Sequence, residues 1–133
     1  MIKRIDHVAI AVKNLDATLQ LWENLFDLKP SKIEVLKDQG VKAALLSLGD
    51  GSEIELMEPI EGKGGIASFL KKRGEGIHHI CLEVEDTDSE LTKLEHKGIQ
   101  LIDKRGRPGL SGKVGFLHPK STGGVLIELK QKA

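Results

Sequence analysis

Short runs of apolar residues alternate with polar ones in two similar series along the chain, and each series is interrupted by one helical stretch. Residues 4–12 are apolar and β-branched, which predicts a largely buried strand. Asn14 or Asp16 then caps a helix over about 16–27, with Leu15, Leu19, Trp22, Leu25 and Phe26 on one face. Pro30 prevents continuation, because it lacks an amide proton and pushes its predecessor out of the helical region. Strands follow at about 32–37, 41–48 and 52–58, separated by the turn-forming runs Asp38-Gln39-Gly40 and Gly49-Asp50-Gly51. The second series predicts a strand at 77–85, a helix at 88–97 and strands near 99–103, 113–118 and 124–130. A Gly-rich connector with a short helix carrying Ile66, Phe69 and Leu70 joins the two, too short and too apolar for a disordered tether.

The two series are copies. Ile5-Asp6-His7-Val8-Ala9-Ile10-Ala11-Val12 corresponds to Ile77-His78-His79-Ile80-Cys81-Leu82-Glu83-Val84, and His7/His79, Asp16/Asp88 and Glu23/Glu95 keep one offset of 72. Ile54-Glu55-Leu56 returns as Ile127-Glu128-Leu129, offset by 73. A repeat of this size is a whole supersecondary module. The expected fold is therefore α+β: two tandem βαβββ modules forming a curved mixed sheet around a metal-binding cleft. One domain spans 1–133, with module one at about 1–60, a linker at about 61–75 and module two at about 76–133.

Strand alternation decides which side chains can share a site. His7 shares a face with Ala9 and Ala11, and Glu55 with Glu53 and Met57. His79 lies with Cys81 and Glu83, and Glu128 with Leu126 and Lys130. Taken singly, a histidine near a strand start is usually a polar edge residue, and the glutamate of an I-E-L strand usually faces solvent. Both pairs recurring at equivalent places reverses that balance. His7, Glu55, His79 and Glu128 are thus the expected ligands of one divalent ion (Co, Zn, Ni or Mn), since imidazole nitrogen with carboxylate oxygen suits such borderline cations. His78 points to the opposite face and is read as a packing residue or a support behind the ligands rather than a ligand; Cys81 is read as a small buried hydrophobe.

Composition narrows the partners. Twenty basic and twenty acidic residues leave no net charge, and the aromatics are only Trp22, Phe26, Phe69 and Phe116. Neither a phosphate-binding field nor a stacking platform results, so nucleic acid is not an expected partner. No apolar run approaches the roughly 20 residues of a membrane span, and no membrane partner is expected. The single cysteine excludes an internal disulfide and fits a reducing, cytoplasmic location.

The paired modules with D-H-V-A-I, I-E-L, H-H-I and I-E-L resemble the vicinal oxygen chelate superfamily, which includes glyoxalase I, extradiol dioxygenases, fosfomycin-resistance proteins and methylmalonyl-CoA epimerases. The likeness covers essentially the whole chain. It is strongest to the methylmalonyl-CoA epimerases, through Arg73-Gly74-Glu75-Gly76-Ile77-His78-His79-Ile80, Arg107-Pro108-Gly109 and the run from Phe116 to Leu129. Glyoxalase I enzymes tend to carry a D-P-D-G-type turn before the last I-E-L, where this chain has His118-Pro119-Lys120-Ser121-Thr122-Gly123-Gly124.

That resemblance implies a metal-dependent epimerase acting on an acyl-CoA, with proton transfer at the α-carbon through a metal-stabilised enolate. The alternatives are a lactoylglutathione lyase or a non-catalytic small-molecule-binding or resistance protein of the same fold. Glu128 is expected as a proton-transferring carboxylate, with Glu55 at the symmetric position mainly a ligand. Lys120 and Ser121 are the expected contacts to CoA, with a plain surface turn as the alternative reading, and a homodimer is the expected assembly. Some relatives carry a glutamate in the strand after the Q-G-V turn as the opposing base. Here Gln39-Gly40-Val41 leads into Lys42-Ala43-Ala44, so that group is missing and the second acid/base is open.

Overall fold

A computed structural model describes residues 1–133. The elements in chain order are β1 (Ile2–Ala11), α1 (Leu15–Phe26), β2 (Pro30–Leu36), β3 (Val41–Ser47), β4 (Glu53–Pro59), α2 (Gly65–Arg73), β5 (Gly76–Val84), α3 (Thr87–His96), β6 (Arg107–Pro108), β7 (Gly112–Leu117) and β8 (Ile127–Lys132). The chain divides into two compact units, Val8–His78 and Met1–His7 with His79–Ala133. The fold is mixed α+β, and each βαβββ half is built around its own apolar clusters.

In the Val8–His78 unit the strand order is β2-β3-β4-β1, with β2/β3 and β3/β4 antiparallel. Asn14 is the cap of α1, its side chain accepting from the Ala17 amide at 3.0 Å, which satisfies one of the amides a helix start leaves unpaired. The helix stops before Pro30: Asp27 turns left-handed at φ 57°, and Pro30 opens β2 instead. One apolar cluster joins Val12, Leu15, Ala44, Leu46 and Leu56 under Leu19 and Trp22 of α1. Another joins Ala9, Ala11, Val41, Ala43 and Met57 to Ile66, with Phe69 and Leu70 packed on it. The expected connector helix is therefore part of this unit's core. His78 meets the edge of the Phe69 ring at 5.1 Å, the packing role expected of it.

The second unit holds the start of β1 and the order β1-β5-β8-β7-β6. Strand β5 pairs parallel with β8, bringing Cys81 opposite Glu128, and β7 pairs antiparallel with β8, bringing Phe116 opposite Glu128. Asp86 caps α3 as Asn14 caps α1, accepting from Ser89 N at 3.0 Å. Val84, Leu91, Leu117 and Leu129 form the buried cluster.

Two expected strands are corrected here. Residues 99–103 make only an isolated bridge, Leu101 to Leu117. The Phe116 carbonyl accepts from both Ile102 and Asp103, and the Asp103 carboxylate accepts from the Phe116 amide, so a side chain replaces part of the backbone ladder. The short β6 lies further on, at Arg107–Pro108. The last strand begins at Ile127 rather than 124, because Gly123 and Gly124 both have positive φ (72° and 92°) and belong to the preceding turn.

Candidate metal centre

Three of the four expected ligands converge within the second unit. His7 Nε2 lies 3.2 Å from Glu128 Oε1, His79 Nε2 lies 3.0 Å from the same oxygen, and the two Nε2 atoms are 3.4 Å apart. All three residues are buried, at 7%, 4% and 8% exposure for His7, His79 and Glu128. Their positions follow from register: His79 and Glu128 project from paired strands, and β1 lies alongside β5 in this unit. Glu55 is also buried, in β4 of the other unit, opposite Leu45 of β3. Cys81 and Lys130 lie on the buried faces that alternation assigns to them.

The donor set fits a small divalent cation. Ligand atoms about 2.1 Å from a shared ion, at tetrahedral or octahedral angles, sit about 3.0–3.4 Å from one another. The separations among His7, His79 and Glu128 fall in that range. Their chemistry agrees. His7 Nδ1–H donates to Asp6 Oδ2 at 2.8 Å, so a neutral His7 presents Nε2 as a lone pair towards a carboxylate oxygen. Lone pairs facing each other in a dry site require a proton or a cation between them.

Electrostatics around the centre are sharply divided. Burial alone would raise the Glu128 carboxyl, but hydrogen bonds and charge from His7 and His79 outweigh it and hold the group well below the usual carboxylate range. Asp6 shows the same contest: burial opposes ionisation, yet His7 and Lys130 bring its carboxyl down to about 2. Cys81 goes the other way, pushed up to about 12 chiefly by burial. Asp6, His7 and Cys81 also cluster closely enough to suggest a second cation site. There, however, the Lys130 ammonium already sits 3.0 Å from Asp6 Oδ2, and the sulfur stays a neutral thiol; the cluster is an internal ion pair.

Residues that sequence reasoning missed surround these three side chains. Alternation assigns Asp6 to the face opposite His7, yet both are buried. Lys130 carried a usable signal: a lysine on a strand face that is expected to be buried needs an acidic partner. Phe116 meets the His79 ring edge-on at 5.2 Å, and the Arg107 guanidinium covers Phe116 at 5.5 Å. Lys120 is exposed, and its backbone amide donates to His118 Nδ1 at 3.1 Å. Ser121 Oγ accepts from the Gln100 amide at 2.9 Å, which anchors the loop and leaves the hydroxyl proton for another acceptor. Ala43, in the strand that follows the Gln39-Gly40-Val41 turn, is 1% exposed in the apolar core.

No helix is long and apolar enough to cross a membrane. Residues 6–116 match the model of the Glyoxalase/Bleomycin resistance protein/Dioxygenase superfamily. The mitochondrial methylmalonyl-CoA epimerase of Dictyostelium discoideum is 41% identical over 98% of this chain and 80% of its own. The ethylmalonyl-CoA/methylmalonyl-CoA epimerase of Cereibacter sphaeroides is 39% identical over 98% of this chain and 99% of its own. Among solved structures, the methylmalonyl-CoA epimerase of Mycobacterium tuberculosis superposes with a TM-score of 0.94 at 36% identity, covering 99% of this chain and 89% of that one. Sequence and fold thus agree, and the chain belongs to the Glyoxalase/Bleomycin resistance protein/Dioxygenase superfamily, in its methylmalonyl-CoA epimerase family.

Proposed function

We propose that this protein interconverts the C2 epimers of methylmalonyl-CoA by proton transfer at the α-carbon, with a divalent metal ion at His7, His79 and Glu128. The observation that carries the reading is the convergence of two Nε2 atoms and one carboxylate oxygen at mutual distances of 3.0–3.4 Å. Glu55 is assigned as the fourth ligand on repeat equivalence with Glu128. The C2 proton is unusually acidic, lying between a thioester carbonyl and a carboxylate. When bound, the ion supplies Lewis-acid stabilisation of the negative charge that develops on those oxygens as the proton leaves.

The protein's own groups divide the remaining work. His7 and His79 would hold the ion through their imidazole Nε2 atoms. Glu128 is kept ionised, so one carboxylate is always available beside the reacting carbon, and its Oε2 is assigned the proton transfer. Glu55 is assigned the corresponding role on the other half. Burial of the site excludes water, which strengthens every charge interaction with the developing enolate. Lys120, exposed on its loop, and the Ser121 hydroxyl are assigned to the CoA portion. The assembly is proposed as a cytoplasmic homodimer.

The test is proton exchange at C2. Incubation with methylmalonyl-CoA in deuterated buffer, followed by NMR of the α-position, should show exchange and inversion for metal-loaded protein and little for chelator-treated protein. Turnover of the methylglyoxal–glutathione hemithioacetal without α-proton exchange would overturn the assignment in favour of a lactoylglutathione lyase.

A further inference from the structure

We infer that Asp6 and Lys130 are positioning residues that hold the His7 ring with its Nδ1 proton buried and its Nε2 lone pair directed at Glu128 and His79. The connection is short and continuous: Lys130 Nζ donates to Asp6 Oδ2 at 3.0 Å, and His7 Nδ1–H donates to that same oxygen at 2.8 Å. All three side chains are buried, Asp6 to 2% and Lys130 to 5% exposure.

The arrangement answers a problem of orientation. Histidine can carry its proton on either ring nitrogen, and only the Nδ1–H form presents Nε2 to a cation. A carboxylate accepts and never donates when ionised, so Asp6 selects that form. A lone buried carboxylate would add an uncompensated charge, which is strongly unfavourable in a dry interior. Lys130 removes that penalty, and the pair as a whole is neutral. Alternation makes this economical in sequence. Glu128 and Lys130 project from one face of β8, so a single strand supplies one ligand and the cation that anchors the acid behind another.

The inference rests on the proposed reading of His7 as a ligand, and two measurements separate the fate of each. The first is NMR of metal-free protein labelled with ¹⁵N-histidine. His7 Nδ1 should bear a proton protected from solvent exchange, retained in Lys130→Arg, weakened in Lys130→Met and lost in Asp6→Ala. The second is titration of the same proteins with Co²⁺. Asp6→Ala should bind about 10–100-fold more weakly, as removal of a carboxylate behind a ligating histidine does; Lys130→Met should fall between, and Lys130→Arg should restore the wild-type affinity. A wild-type His7 protonated only at Nε2 overturns the inference even if no variant folds. So does a folded Asp6→Ala that binds Co²⁺ as the wild type does. If the wild type binds no Co²⁺ but holds the Nδ1 proton as described, the metal reading fails while the positioning of the ring by Asp6 stands.

Discussion

The Nε2 atoms of His7 and His79 lie 3.4 Å apart although 72 residues separate them in the chain, and both approach the same oxygen of Glu128. Two imidazoles and a carboxylate in this contact compete for either protons or a cation. Metal uptake should therefore fall as pH drops, because protons compete with the ion for the ligand atoms. Co²⁺ titration at several pH values checks this. His79→Ala removes a ligand outright and should weaken uptake by more than the about 10–100-fold typical of losing an outer partner. Uptake by His79→Ala equal to wild type would falsify the assignment.

Replacing Glu128 by Gln keeps an oxygen ligand of similar size and removes the basic carboxylate. Turnover should fall by about 100-fold or more, the range of a lost acid–base group, while KM changes little. Steady-state kinetics with both epimers would show it. An equal loss in kcat and in substrate affinity would instead point to a collapsed site.

Asp6 and Lys130 form a buried pair, and breaking it from one side leaves a charge without a partner. Asp6→Ala should destabilise the fold by about 3–5 kcal/mol, whereas the double change Asp6→Ala with Lys130→Met should cost less than the sum of the two single changes. Urea denaturation of the four proteins completes the cycle. Additive losses would mean that the two groups do not interact energetically.

Acid should expose the same pair. Asp6 titrates at about 2 in the folded protein and near about 3.9 when unfolded, so the unfolded chain binds protons more readily. Its contribution, about 2–3 kcal/mol by the size of that shift, is present above pH 4 or so and is lost as pH falls towards about 2. Glu128, also held low, adds to the same acid-side loss in the metal-free protein. Denaturation midpoints for metal-free wild type between about pH 5 and 2 should fall steadily. A flat profile would contradict both directions.

Cys81 is fully buried, and its thiol is pushed up to about 12. Since the thiolate is the reactive form, native protein at about pH 8 should resist alkylation, and protein unfolded in urea should react at the ordinary rate. Intact-mass spectrometry after brief iodoacetamide treatment distinguishes the two.

The sequence by itself determined the repeat, most of its elements and the strand faces that carry the repeated His and Glu. His7, Glu55, His79 and Glu128 were legible because periodicity of two and an offset of 72–73 are local properties of the chain, readable without knowing which strands pair. The caps Asn14 and Asp86 are local for the same reason. Tertiary structure decided the rest. Residues 99–103 fail as a strand because the Asp103 side chain takes a hydrogen bond from β7, a competition no pattern of hydrophobicity records. Asp6 enters the site against its expected face because its carboxylate is held by His7 from the next position and by Lys130 from 124 residues away. A buried charge is stable only beside its partner, and which partner arrives depends on strand pairing that sequence spacing does not contain.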